Sequence, residues 1–223
     1  MNRQMKLSLI IAPLVLFIFS AIAAGNPAPA RTMTDSTTID KPDSMKQAAF
    51  QAAMRKLWED HITWTRVFII SAAGDLPDKD AATQRLLQNQ VDVGNAIKPY
   101  YGDAAGEKLT ALLKEHITTA AEVVAAAKAN DTAKMADANR RWFANADAIA
   151  AFLSTANPKN WPAAEMTKMM HDHLNLTTNE VQARLKGDWA ADVQAYDRVH
   201  AQILVMADML SAGIISQHSA KFK

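Results

Sequence analysis

Three stretches of this chain repeat one pattern. "LWEDHIT" (57–63), "LLKEHIT" (112–118) and "MMHDHLN" (169–175) each place two large apolar residues, a spacer, an acid and a histidine in the same order. His116 and His173 are 57 residues apart, and the same offset relates Asp131 to Asp188 and Leu153-Ser154 to Leu210-Ser211. The first unit aligns Leu57 with Leu112, His61 with His116 and Ile62 with Ile117, with extra residues around "LPDK" in its turn. Self-similarity at a long fixed period means that the folding unit is a supersecondary element, which buries its apolar face only by stacking on its neighbours. The chain must therefore assemble three equivalent units.

Those units are helical, because no segment alternates with period two between turn signals. Helix one is expected from Ser44 to Ala73, capped by Asp43 and stopped by Gly74 with Pro77 beyond. Helix two follows Asp80 and fails at Pro99, and helix three opens at Asp103 and stops near Asn130, a residue that tolerates the left-handed conformation. Asp131 caps helix four, which ends near Ser154. Pro162 suits the first position of helix five, where its missing N–H costs nothing. Gly187 stops helix five, and Asp188 caps helix six, which lasts to about Gln217. The expected fold is an all-α bundle of about six helices, built from three repeated helical hairpins over residues 44–218, with 219–223 as a C-terminal tail.

Ahead of the bundle, Arg3 and Lys6 precede an apolar run from Leu7 to Ala23 that ends in small residues. This is the pattern of a secretory signal peptide, 1–23, and the expected location is the periplasm or the extracellular medium. Left uncleaved, the run would be a membrane anchor, although it is just short of the ~18 residues a span needs. No later segment reads as a transmembrane span. Residues 24–43, rich in Pro, Thr, Asp and Ala, read as a disordered linker. The chain has no cysteine, which removes disulfides, thiolate metal sites and lipidation on cysteine. Twenty-four basic against 23 acidic residues give no electrostatic footprint for nucleic acid. An envelope protein is the class of partner that the location leaves.

At 100° per residue, Met54, Leu57, His61, Trp64 and Phe68 share one stripe of helix one. The corresponding stripes are Leu109, Leu112, His116, Thr119 and Val123 in helix three, and Met166, Met169, His173, Leu176 and Glu180 in helix five. Each hairpin thus carries a histidine at one depth on the buried face of its first helix. Glu59, Asp60, Glu115 and Asp172 fall off the stripes, toward solvent or a neighbouring helix. His171 and His218 read as exposed, and His200 lies at the edge of the helix-six stripe, one turn after Asp197.

Three functional readings follow. In the first, the inner histidines are core residues, hydrogen-bonded to Gln90, Asn139, Thr65 or Thr177, and the protein is an exported, non-enzymatic binding or structural bundle that needs no cofactor. In the second, His61, His116 and His173 converge on a divalent metal such as zinc, iron or copper, with Glu180, Asp197 or His200 completing the site. In the third, the protein is an enzyme with His200 as base, oriented by Asp197 or by an acid of a neighbouring helix. Met166, Met169 and His173 have the spacing of core packing, although methionine with histidine also suits copper in an oxidising compartment. Enzyme motifs are absent: the sequence has no Gly-x-Ser-x-Gly, no phosphate-binding glycine loop and no Gly-x-Gly-x-x-Gly.

The stretches "LWEDHITWTRVFIIS", "RLLQNQVDVGNAIKPYYG" and "MADMLSAGII" resemble a family of bacterial all-helical proteins, some of which carry a glycosyltransferase label. The resemblance implies a shared six-helix fold and assigns no site residue. The label itself conflicts with the helical pattern, since such transferases bind their nucleotide on an α/β domain.

Overall fold

The computed structural model describes residues 42–223, with side chains from Ser44 onward; the expected signal peptide, and the expected linker apart from its last two residues, lie outside the described residues. Six α-helices follow in order: α1 Pro42–Gly74, α2 Lys79–Tyr101, α3 Asp103–Lys128, α4 Thr132–Ala156, α5 Ala163–Lys186 and α6 Trp189–Gln217. No strand occurs among the described residues.

Local chemistry sets most of the boundaries. The Asp131 carboxylate accepts from the Lys134 amide at 3.0 Å, and Asp188 accepts from the Ala191 amide at 3.1 Å, so the two aspartates related by the repeat satisfy the same orphan donor of their helices. Gly187 ends α5 in the left-handed region, at φ 70°. Pro162 stands just outside α5 as its N-cap rather than inside as its first residue. Helix α2 runs through Pro99, two residues past its expected end. The proline falls in the last turn, where it removes one helical hydrogen bond with only two residues left to hold, and the Gly102 amide still closes the turn on Lys98 O at 2.9 Å.

Around the bundle each helix packs on its neighbours in chain order, and α6 packs back on α1, which closes the ring. The odd helices α1, α3 and α5 also touch one another, so they line the centre while α2, α4 and α6 pack outside them. Neighbours in the ring are antiparallel and the three inner helices run parallel. Gly94 and Gly106 let α2 and α3 approach closely: a Cβ on Gly94 would stand 2.6 Å from the Gly106 carbonyl oxygen.

Two features concern the C-terminal part. Residues 219–222 of the expected C-terminal tail form a 3-10 turn, and Phe222 is buried, stacked on Tyr100 at 5.5 Å and tilted against Phe50. Helix α6 is long and apolar enough to cross a membrane, with mean hydropathy 1.5 over its best 18 residues, contrary to the expectation that no later segment qualifies. Asp192, Asp197 and Arg198 lie in its first half, and the second half is apolar but for Asp208, which pairs with Arg55 on α1 at 2.6 Å. That half forms a wall of the core, with Ile203, Met206, Ala207, Leu210 and Ile214 buried.

The core has a larger cluster around Met54, Trp58, Leu109, Leu113, Met166 and Met170, and a smaller one around Phe68, Ile69, Ile117, Val124 and Val181. In each inner helix the histidine falls between the residues of these two clusters.

Candidate functional site

The parallel inner helices bring His61, His116 and His173 together at the centre of the bundle. All three are buried, at 3%, 3% and 5% exposure. The His61 and His173 rings are 5.9 Å apart between centroids, and those of His116 and His173 are 6.5 Å apart. Burial is the main force on their titration. It holds His116 down to about 3, assisted by His173 and opposed by Asn145. It also holds His61 well below its ordinary value, assisted by His173 and His116, and it lowers His173. All three are neutral imidazoles in neutral solution, the form that ligates metals.

A repeated clasp fixes which nitrogen carries the proton. The Asn145 amide nitrogen donates to Leu112 O at 3.1 Å, so its oxygen must face His116, whose Nδ1 it meets at 3.1 Å. In the third hairpin Gln202 donates to Met169 O at 3.2 Å and meets His173 Nδ1 with its oxygen at 3.1 Å. An amide oxygen only accepts, so Nδ1 is the protonated nitrogen in both rings, and Nε2 keeps its lone pair. Both amides stand 29 residues after their histidine, at 116 and 145 and at 173 and 202, and the same step from His61 reaches Gln90.

The first hairpin divides the job between two residues. Asn89 donates to Leu57 O at 3.0 Å, while Gln90 donates to Leu86 O at 2.7 Å and to Asn89 Oδ1 at 3.1 Å. Gln90 Oε1 is thereby turned toward His61, close enough to oppose its pKa shift, but no direct hydrogen bond forms and both Gln90 Oε1 and His61 Nδ1 are left unpaired. The clasp of this hairpin is open by a small distance.

Among the described residues no hydrogen bond reaches Nε2 of these histidines, and the triad's buried nitrogen left unpaired is His61 Nδ1. In His116 and His173 the hydrogen bond of Nδ1 runs to an outer helix, and all three rings stand at the centre of the bundle. There the rings line a cavity of about 30 Å³, together with Met54, Met170 and Met206. A space of this size holds a water molecule or a single ion. Trp58 lines the same cavity, and its buried Nε1 donor is also unpaired.

The rings do not yet meet at one point, and no three His, Asp or Glu among the described residues are placed to hold an ion as the side chains stand. Three imidazole nitrogens sharing an ion at about 2.0–2.1 Å in a plane set their ring centroids about 5.5 Å apart. The His61–His173 and His116–His173 separations exceed that by roughly 1 Å or less.

The other expected site residues lie elsewhere. Glu180 is buried but belongs to an ion cluster, in which Arg66 bonds Glu180 at 3.0 Å and Asp192 through both nitrogens, and Arg184 approaches Asp192 at 3.4 Å. Burial lifts the Glu180 carboxyl to about 7 against the pull of Arg66, and the Asp192 charge adds to the rise. For Asp192 burial acts in the same direction, but the bonds and charges of Arg66 and Arg184 win and hold its carboxyl low. His200 sits half-exposed between α1 and α6, its Nε2 paired with Glu59 at 2.9 Å, and Asp197 is exposed and orients nothing. Of the two expected partners of His200, the acid of a neighbouring helix is the one present, as Glu59 on α1, and Asp197 is not.

Asn139, Thr65 and Thr177 do not serve the histidine rings. Each threonine hydroxyl instead donates to the carbonyl of the histidine one turn before it, at 2.8 and 3.0 Å. Asn145 and Gln202 are the partners missed, and the 29-residue offset that ends on Gln90 was the signal available for both. His171 and His218 are half-buried rather than exposed. His171 pairs with Asp147 at 2.7 Å and stands edge-on to Phe143, and His218 packs on Tyr100 and Tyr101.

No protein-family model, curated protein or solved structure matches the chain.

Proposed function

We propose that this is an exported, non-catalytic binding protein that holds a single transition-metal ion at the Nε2 atoms of His61, His116 and His173. The observation that carries this reading is the tautomer lock: amides anchored to helix carbonyls hold Nδ1 protonated in two hairpins and are placed to do so in the third. In those two rings Nε2 keeps its lone pair, and all three rings line one cavity at the centre of the bundle. A core histidine that serves only packing needs both nitrogens satisfied, because an unpaired buried polar group costs about 1–3 kcal/mol. The buried, unpaired His61 Nδ1 and Trp58 Nε1 belong to two residues that line this cavity, and they support a guest there. Locking Nδ1 to an oxygen is also what raises and aims the basicity of a ligating imidazole.

The competing reading is a purely structural core in which a water molecule bridges the rings and accepts from Trp58. Protein purified without chelator separates the two. Metal binding gives close to one ion per chain by elemental analysis, lost on replacement of His116. It also gives a stabilisation of about 2.7 kcal/mol when free metal is a hundredfold above the dissociation constant. Metal-free protein whose melting is indifferent to added zinc, cobalt, nickel and copper would leave the water-bridged core as the answer.

A further inference from the structure

We propose that the ion this site selects is copper(I), held by the three Nε2 atoms with the thioether of Met170 as a fourth, softer ligand. The inference rests on the three-histidine site above and adds the identity of the metal. The first argument is charge. No carboxylate lines the cavity and the chain has no cysteine, while Glu180, the buried acid farther along α5, is held by Arg66. The desolvation cost of an ion grows with the square of its charge, so a dication surrounded only by neutral imidazoles costs about four times what a monocation does. Zinc in such a place calls for an anionic fourth ligand, and copper(I) does not.

The second argument is the donor set. Met54, Met170 and Met206 all line the cavity with the histidines, and thioether sulfur selects copper(I) over harder ions while imidazole accepts both. Among the three, Met170 stands one turn before His173 on α5, on the same face of the helix. The equivalent positions of the other hairpins are Trp58 and Leu113, so the repeat is broken at this point in favour of a sulfur. The third is the enclosure. Trp58 packs on His61 at 5.7 Å and Trp142 on His116 at 5.4 Å, closing the site to solvent and shielding a copper(I) ion from oxidation.

The test is an anaerobic titration of the purified full chain with cuprous ion presented as its bis-bicinchoninate complex, followed by loss of the complex's colour and by tryptophan fluorescence. One ion should leave the chelator per chain, with quenching from Trp58 and Trp142, and X-ray absorption should show a sulfur scatterer beside the imidazole nitrogens. Met170→Leu, which keeps the core volume, should weaken copper(I) at least tenfold and remove the sulfur signal, leaving binding of cobalt(II) or zinc(II) unchanged. His200→Ala and His171→Ala should change nothing. If cobalt(II) or zinc(II) binds in a manner that depends on His116 while copper(I) is not taken from the chelator, this inference falls and the metal-binding reading stands. If copper(I) binds with no sulfur signal, or the loss appears on Met54→Leu or Met206→Leu instead, the assignment of Met170 is wrong. If the wild-type chain takes up none of these ions, both readings fall together.

Discussion

Asn145 does two jobs with one side chain, which makes it a sharp probe of the site. Its amide nitrogen satisfies Leu112 O, a carbonyl already committed to its helix, and its oxygen fixes the His116 tautomer. Asn145→Ala therefore leaves His116 Nδ1 unpaired in a dry environment and should cost about 1–3 kcal/mol in urea unfolding, with the m-value unchanged. The same change should weaken metal retention, because the imidazole is then free to carry its proton on Nε2. Asn145→Asp tests the lock from the other side: an oxygen still faces Nδ1, so retention should survive better than in the alanine variant even if stability falls. Glu180 yields a separate prediction. Its folded pKa, raised by burial from 4.5 to about 7, means that the folded state holds an extra proton between those values. Folding stability from this group is therefore present below about pH 4.5 and declines as pH rises to 7, by up to about 3 kcal/mol. Glu180→Gln removes the term, so the variant should gain on the wild type between pH 5 and pH 8 when urea midpoints are compared. A constant difference across that range would show that Arg66 keeps Glu180 ionised throughout.

At the level of helices, the punctuation residues were legible because each acts on its own neighbours in sequence. Asp131 and Asp188 cap where their side chains reach the third amide ahead, and Gly187 ends α5 because a left-handed residue was needed. The inner stripes were legible for a similar reason, since helical periodicity alone puts His61, His116 and His173 at one depth. The clasps were not legible from one helix, because Asn145 and Gln202 are selected by contact across a hairpin; only the constant 29-residue step between a histidine and its amide betrays them. The close approach of α2 and α3 was likewise hidden, as a glycine in a helix reads as a weakness until the facing backbone is known. A methyl group at Gly94 would fall 1.9 Å from Thr110 Oγ1 as well as 2.6 Å from a backbone oxygen, so one helix must retreat. Gly94→Ala should destabilise by about 1–3 kcal/mol despite the better helix propensity of alanine. An alanine at exposed Gly74, whose new Cβ would come no nearer than 3.4 Å to any side chain it meets, is the control, expected to change little.

For the whole molecule, the decisive contact is α6 on α1, because it turns a three-unit repeat into a closed ring. In an open array each repeat touches only its neighbours, and unfolding can start at an end and spread. Here no hairpin is terminal: the first and third meet through α1 and α6, and Arg66 on α1 bonds Asp192 on α6 and Glu180 on α5. The histidine layer adds a contact among all three units at the centre, which none of them can make alone. Cooperative loss of the entire bundle is the expected consequence. Far-ultraviolet circular dichroism, which follows helix, and tryptophan fluorescence, which follows Trp58, Trp142 and Trp161 in the core, should give one coincident transition in urea. Arg66→Met is the variant that probes closure. It removes the cation while keeping an apolar stem, and leaves Glu180 and Asp192 buried without a shared partner, so a loss of several kcal/mol is expected near neutral pH. If the ring is what makes the molecule a single unit, that variant should melt earlier but still in one step. A split into two transitions, with the fluorescence of Trp142 on α4 outlasting the helix signal of the rest, would show instead that the hairpins fold as separate units and that α6 on α1 is a contact made late and weakly.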